Sequence, residues 1–569
     1  MTKRSDKHQA TVDDRRPTGR ENFRDTADSI VVAFILAFVF RAFVVEAFVI
    51  PTGSMAPTLY GRHGSMCCES CGYTFAYGLR DAGNSGRGPV HGANSKALCP
   101  NCSRLNTNLV QNDKAGNSEA GDRILVLKWP LDIGGARLST QRWNVMVFKD
   151  PSDGMTNYIK RIVGLPEEVL SIIDGDVYTV PIAELSDASR QILFDLVKRK
   201  TELQYGTKRG RLERVPTQVL DELDGKLRIP RKTSVAQRSL WFNVYNHDYQ
   251  PKKLVRGPPR WVASGTEGSA WDTTRRAVVF DGVGKPPEFI KLHNGLTADA
   301  YAYNLKGPRP MRSLNPVEDL RVRFVLSPQS TSGSVRVQLA KRGRVFTATI
   351  GMDGSLSISA EEKGQSLREF DSLKTSRAGL FSSQKAVEVA FEIVDYRASL
   401  WVGGEEILAT TDEQFSPDIK TLRQGARSVT IAPRVCGDSA AFELMHLVVE
   451  RDVYYRDPGQ DALRSAIGNW CDDQSMWGSP SKPILLRQGE YFALGDNSPQ
   501  SQDSRLWTQI GPHLRDRGER FQLATIPEDQ LVGRAFFVYW PSGRRLGDWL
   551  PGLGKIGIIP NVGRMRWIR

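Results

Sequence analysis

Hydrophobic and polar positions alternate in two different ways along this chain. From Ile30 to Phe40 every position is apolar, and from Ile30 to Ile50 only Arg41 and Glu46 carry charge. About 20 such residues suffice to cross about 30 Å of hydrocarbon, so the pattern predicts a membrane anchor over 26–48, with Asp28 and Arg41 near its two faces. The uninterrupted run is 11 residues, a length that a cleaved leader would also have. Further on the period changes to two. Gly121–Lys128, Arg142–Lys149 and Tyr158–Pro166 are rich in β-branched and aromatic residues and predict strands, the first two as a pair in one sheet core.

The longest alternating region follows. Leu320, Val322, Phe324 and Leu326 alternate with mostly charged residues, as do Val335, Val337 and Leu339, and then Val387, Val389, Phe391 and Ile393. A hairpin is expected over 395–408 with Gly403-Gly404 at its turn, then strands over 428–435 and 442–455. One-sided alternation with regular turns predicts an antiparallel β-sandwich, similar in pattern to concanavalin-like and laminin-G folds. Ahead of it Ile192, Leu193, Leu196 and Val197 recur at helical spacing and predict an amphipathic helix that packs rather than acts. The fold expected is mainly β, and the sandwich is expected to be a spacer or a binder of glycan or protein.

Length and charge adjust this picture. The chain has 569 residues, room for several domains, and a formal net charge of +13. Such charge suits nucleic acid, anionic lipid headgroups, or simply a solvated surface. An exported, anchored chain favours lipid over nucleic acid. Seven Lys or Arg (Lys3, Arg4, Lys7, Arg15, Arg16, Arg20, Arg24) precede the apolar run, and only Arg41 and Arg62 follow closely. That asymmetry predicts a single pass through the cell (inner) membrane, N-terminus in the cytoplasm and the rest outside.

Five of the seven cysteines lie between Cys67 and Cys102. Cys68-x-x-Cys71 and Cys99-x-x-Cys102 are two pairs with 27 residues between them. Two such pairs supply four thiolates to one tetrahedral zinc, whereas oxidising surroundings would also allow two disulfides. The metal is the expected state, and its role is structural.

The candidate chemistry begins just past the apolar run, at Pro51-Thr52-Gly53-Ser54-Met55-Ala56-Pro57. Two prolines stiffen the segment and Gly53 allows a tight turn beside one hydroxyl, that of Ser54. Period two places Lys160 with Tyr158 and Ile162 on one face of its strand. A strand lysine ordinarily snorkels to water, but one buried among apolar groups loses its proton more easily and becomes a base for serine. His63 and His513 are the competing bases, neither in a recognisable motif.

With Gly495-Asp496-Asn497-Ser498 through Arg505, these segments form four boxes in order, and together they resemble the type I signal peptidases, membrane-bound serine proteases that remove signal peptides from exported proteins. The resemblance covers 28–60, 120–175 and 485–569. It implies that Ser54 is the nucleophile, Lys160 its general base, and Thr52 a donor to the oxyanion beside the Ser54 amide. Ser501 would orient the Lys160 amine, with Asp503 and Arg505 paired behind it. It implies no cofactor for catalysis, signal peptides as substrates, and pockets for small side chains one and three residues before the cut. Glu167 stands where the family usually has glycine, and Ser498 where it usually has arginine.

The expected organisation is a cytoplasmic tail (1–25), the anchor (26–48), and a catalytic core in three pieces (49–60, 120–180 and 485–569). Interrupting the core are a ribbon carrying Cys68, Cys71, Cys99 and Cys102 (61–119), a helical linker (181–240) and the sandwich (241–480). Two other functions fit parts of the sequence: an anchored extracytoplasmic binding or adhesion protein built on the sandwich, and a soluble Ser-Lys autoprotease.

Overall fold

The computed structural model describes residues 19–78, 97–106, 119–129, 140–205, 215–251, 260–264, 268–293, 297–304, 314–381, 385–425, 431–456, 477–507, 509–515, 517, 520–541 and 561–568. Most of the 1–25 tail and part of the 428–435 segment lie outside these residues.

The N-terminal region departs from the sequence expectation. A helix runs over Gly19–Val39, a π-helical turn over Phe40–Val44, and Val45–Val49 is already a strand paired with Arg123–Leu127. Among the described residues no helix is long and apolar enough to cross a membrane. The reason is visible in the sequence: Glu21, Arg24, Asp25 and Asp28 occupy the first half of the helix, and the β-branched residues after Arg41 join the sheet edge. The remaining 11 apolar residues rise only about 16 Å as helix. Ile30, Val31, Val32, Phe34, Ile35, Leu36, Phe38 and Val39 are nevertheless all exposed, from 49% to 65%, a continuous uncovered apolar surface.

The core sheet is eight-stranded and antiparallel. Its order along the chain of hydrogen bonds is Val45–Val49, Arg123–Leu127, Leu531–Trp540, Val145–Lys149, Asn157–Gly164, Glu490–Leu494 and Ile526–Pro527, with Arg566–Trp567 pairing on Leu531–Trp540. The Arg123 and Val145 strands are therefore not neighbours, as their sequence proximity suggested. The C-terminal strand enters between them and pairs with both. Arg566 then ties the C-terminus to the nucleophile segment through the Thr58 carbonyl (2.8 Å) and Asp122 (3.0 Å).

Two further eight-stranded antiparallel sheets lie between Phe242 and Arg451. Their inward residues, Val322, Phe324, Val389 and Phe391 from one and Val335, Val337, Phe346 and Ile350 from the other, are fully buried in one cluster. This is the alternation the sequence displays. The Gly403-Gly404 turn has both residues at positive φ (63° and 85°), as a two-residue hairpin loop requires. The strand expected over 428–435 instead begins at Arg434 and runs to Asp438.

A small three-stranded sheet, Asp176–Pro181, Glu168–Ile173 and Ile484–Leu486, joins the two bodies. Leu170, Ile172 and Val177 face the catalytic side, while Val169, Ile173, Tyr178 and Val180 belong to the sandwich cluster. The helix Asp187–Tyr205 packs Leu193 and Val197 into that same cluster. The sandwich is thus packed against the catalytic side through a shared sheet. Glu167, at φ 66°, makes the turn into this sheet in a conformation that favours glycine, consistent with glycine being usual there in the resembled family.

Candidate active site

Ser54 sits in a single 3-10 turn, Gly53–Met55, entered from extended Thr52 (φ −118°, ψ 157°). Met55, Ala56 and Leu59 are fully buried and anchor the turn from below. The Ile50 amide donates to the Asp122 carbonyl (2.9 Å) and the Arg62 amide to the Pro51 carbonyl (3.2 Å), so the segment is held on both sides. A Cβ on Gly121 would stand 1.7 Å from the Ile50 carbonyl oxygen, which is why the returning strand crosses here with glycine.

Lys160 arrives from the neighbouring sheet position, opposite Met146. Its side chain turns inward, not to water; the residue is 4% exposed. Nζ lies 3.0 Å from Ser54 Oγ and 2.9 Å from the Ile159 carbonyl. Burial lowers its pKa to about 8 against the opposing pull of Asp503, Asp496 and Asp150. A substantial fraction is therefore neutral near physiological pH, as a base must be. Thr52 Oγ1 is 3.4 Å from Ser54 Oγ, bringing two hydroxyls to one place.

Period two sends the next residue, Arg161, to the opposite face, where it is wholly buried and forms a two-pronged pair with Asp496 (both contacts 2.8 Å). Thr58 donates to the same carboxylate at 2.5 Å. Asn497 grips the nucleophile turn itself: its amide donates to the Ser54 carbonyl (3.0 Å) and its Nδ2 to the Gly53 carbonyl (2.9 Å). Asp503 and Arg505 form a buried pair, and Asp503 also accepts from the Gly495 amide. Gly495 has no room for a side chain, since a Cβ would meet Ser501 Oγ at 2.2 Å and the Ser54 carbonyl at 2.6 Å.

Several positions differ from the sequence expectation. Ser501 is buried beside Gly495, but its Oγ makes no hydrogen bond among the described residues; besides Ser54, the Lys160 amine meets the Ile159 carbonyl instead. His63 is buried at the root of the cysteine ribbon, its Nδ1 2.7 Å from the Gly61 carbonyl and its Nε2 3.3 Å from Glu119. His513 packs against Gly154 and Gly511. Neither histidine hydrogen-bonds to Ser54. Arg161, Asp496, Thr58 and Asn497 were not singled out from sequence. For Arg161 a signal existed, a charge whose neighbours on its own strand face, Ile159 and Val163, are apolar. For Asn304, which bonds to Asn497 from far along the chain, none did.

The four ribbon cysteines converge. Cys68 and Cys102 sulfurs are 3.6 Å apart, Cys71 and Cys99 sulfurs 3.7 Å apart, and all four are unbridged. Tetrahedral zinc with bonds of about 2.3 Å requires sulfur–sulfur edges of about 3.8 Å, so these residues fit the ion. Each pair forms the same knuckle, with the Gly72 amide donating to the Cys68 carbonyl and the Ser103 amide to the Cys99 carbonyl. Gly72 and Ser103 both have positive φ, 75° and 60°. The ribbon returns to its starting point through the Asp122 amide on the Tyr60 carbonyl (2.8 Å), so that its two ends leave the core side by side. A second group of acids, Asp176, Asp319, Asp395 and Asp452, lies buried at the shared sheet. There Lys341 bridges Asp176 and Asp319, and Lys232 bridges Asp395 and Asp452, which makes it an internal ion-pair knot.

The family model described as "Signal peptidase, peptidase S26" matches residues 23–184 and 449–540. Among characterised relatives, signal peptidase I of Pseudomonas aeruginosa is 32% identical over 82 residues, covering 14% of this chain and 26% of that one. Signal peptidase I of Pseudomonas fluorescens is 34% identical over 73 residues (12% and 23%), and that of Buchnera aphidicola 25% identical over 124 residues (21% and 33%). The chain thus spans between 23% and 33% of the length of these relatives. Among solved structures, the carbohydrate-binding module CBM66 of Bacillus subtilis matches at 9% identity and TM-score 0.22, over 34% of this chain and 95% of that one. The galectin LEC-6 of Caenorhabditis elegans matches at 13% identity and TM-score 0.17, over 24% and 82%.

Proposed function

We propose that this protein is a serine endopeptidase that removes N-terminal signal peptides from exported preproteins, with Ser54 as nucleophile and Lys160 as general base. One observation carries the reading: a buried lysine amine 3.0 Å from a serine hydroxyl in the turn where the signal peptidase family model matches. Neutral Lys160 takes the Ser54 proton as Oγ attacks the scissile carbonyl. Negative charge then develops on the carbonyl oxygen, and the Ser54 amide with the Thr52 hydroxyl is the donor pair beside it. Donors fixed in place before reaction are worth about 3–4 kcal/mol each in such sites. Lys160, now charged, returns its proton to the leaving amine, and water repeats the sequence to release the acyl group. The exposed apolar face of Ile30–Val39 suits a lipid surface, where signal peptides also lie.

The reading is tested by the pH dependence of preprotein cleavage. The base acts only when unprotonated, so the rate should rise with pH through about 8 and then level off. A rate independent of pH between about 6 and 10 would contradict a lysine base, and absence of preprotein cleavage would contradict the function.

Cys68, Cys71, Cys99 and Cys102 are proposed to hold one structural zinc. Four thiolates complete the tetrahedron and leave no position for substrate, so the ion braces the ribbon and takes no part in the reaction. Protein purified without chelator should carry one zinc per chain, and Cys71→Ser should lose it and loosen the ribbon while slow cleavage persists. Absence of metal together with no titratable thiol at these positions would establish disulfides instead.

A further inference from the structure

Part of the surface that holds the nucleophile turn comes from outside the catalytic segments. The turn Ala302–Asn304 belongs to the long segment between the Lys160 strand and the C-terminal box, yet it lies directly on Gly53. A Cβ on Gly53 would stand 2.6 Å from the Tyr303 ring, so any side chain before the serine would have to push this ring aside. Asn304 and Asn497 join their amides in both directions, Asn304 Nδ2 to Asn497 Oδ1 at 2.6 Å and Asn497 Nδ2 to Asn304 Oδ1 at 3.0 Å. The same Asn497 Nδ2 donates to the Gly53 carbonyl. A carbonyl only accepts, so Asn497 must turn its NH₂ toward Gly53, which leaves its Oδ1 to be met by a donor. Asn304 is that donor.

The Gly53 carbonyl and the Ser54 amide are two ends of one planar peptide unit. Fixing the oxygen fixes the plane, and with it the direction of the Ser54 N–H. A hydrogen bond accepted at the oxygen also polarises the unit and strengthens that N–H as a donor. The Asn497 amide bonded to the Ser54 carbonyl holds the other side of the residue.

We propose that Asn304, seated by Tyr303, is a positioning residue for the reaction: acting through Asn497, it orients the Gly53–Ser54 peptide so that the Ser54 amide meets the developing oxyanion. The inserted segment is then a working part of the active site and not an appendage to it. The inference rests on the reading of Ser54 as nucleophile.

The test uses the full-length protein and a preprotein substrate, measuring kcat and KM for wild type, Asn304→Ala, Asn304→Asp, Asn497→Ala and the double variant Asn304→Ala/Asn497→Ala. An effect on the oxyanion donor falls on the transition state, so kcat should drop about 10-fold in Asn304→Ala, a fraction of the loss from deleting such a donor, with KM unchanged. Asn304→Asp keeps the size of the side chain but sets a carboxylate against Asn497 Oδ1; it should lose more, and it decides the matter if the alanine variant fails to fold. The double variant should be no worse than Asn497→Ala, because the effect passes through that residue. Unchanged kcat in folded Asn304 variants, or additive losses in the double variant, would overturn the positioning role and leave the peptidase reading standing. A wild type that cleaves no preprotein would overturn both.

Discussion

Lys160→Ala is expected to lower preprotein cleavage by at least about 10³-fold with the protein still folded, because a serine without its base loses most of the benefit of the pair. Lys160→Arg should be equally inactive. A guanidinium cannot give up its proton in this range, so it offers charge where a lone pair is needed. Its larger head must also fit where Nζ now lies 3.0 Å from Ser54 Oγ and 2.9 Å from the Ile159 carbonyl. Initial rates at pH 9, with folding checked by circular dichroism, decide the outcome. Turnover by either variant within about tenfold of wild type would assign the base elsewhere.

The second large effect is on stability. Arg161 and Asp496 are each wholly enclosed and bonded to one another, with Arg161 also donating to the Trp143 carbonyl at 2.7 Å. Removing one partner strands the other charge in a medium that solvates it poorly, at a cost of about 3–5 kcal/mol. Asp496→Ala should therefore shift the denaturant midpoint sharply, and it should weaken catalysis as well, since Asp496 accepts from Thr58, four residues after Ser54. Removing both partners should cost less than the sum of the single losses, because the double variant leaves no isolated charge. Equal and additive small losses would mean that the pair is open to water.

These two predictions also mark what could be read from the chain. Local patterns, a proline-flanked turn and a period-two strand, marked Ser54 and Lys160 only as candidates, each also readable as a plain turn or a solvent-facing lysine. It was the order of the four boxes that paired them, and the fold brings the two side chains within 3.0 Å. The sandwich was legible from its alternation: Val322, Phe324 and Leu326 face inward and the residues between them do not. The Glu168–Ile173 strand gave no such signal. All six of its residues are buried, since one face meets the catalytic side and the other the sandwich, and a strand covered on both faces does not alternate. Strand order was hidden for another reason. The Arg123 and Val145 strands are close in sequence, but the strand between them comes from Leu531–Trp540, and no local pattern records which distant strand closes a sheet. The apolar run after Asp28 was read as longer than the helix it forms, because Val44, Val45 and Val49 suit a sheet edge as well as lipid. Asn304 lies at the far limit: its role depends on one contact across 193 positions.

The central claim is that Ser54 is the residue that attacks the scissile bond. Mass spectrometry of a preprotein incubated with wild type and with Ser54→Ala tests it most directly. The account predicts mature protein and free signal peptide with wild type, and intact preprotein with Ser54→Ala. Mature protein released at comparable rates by both would contradict it.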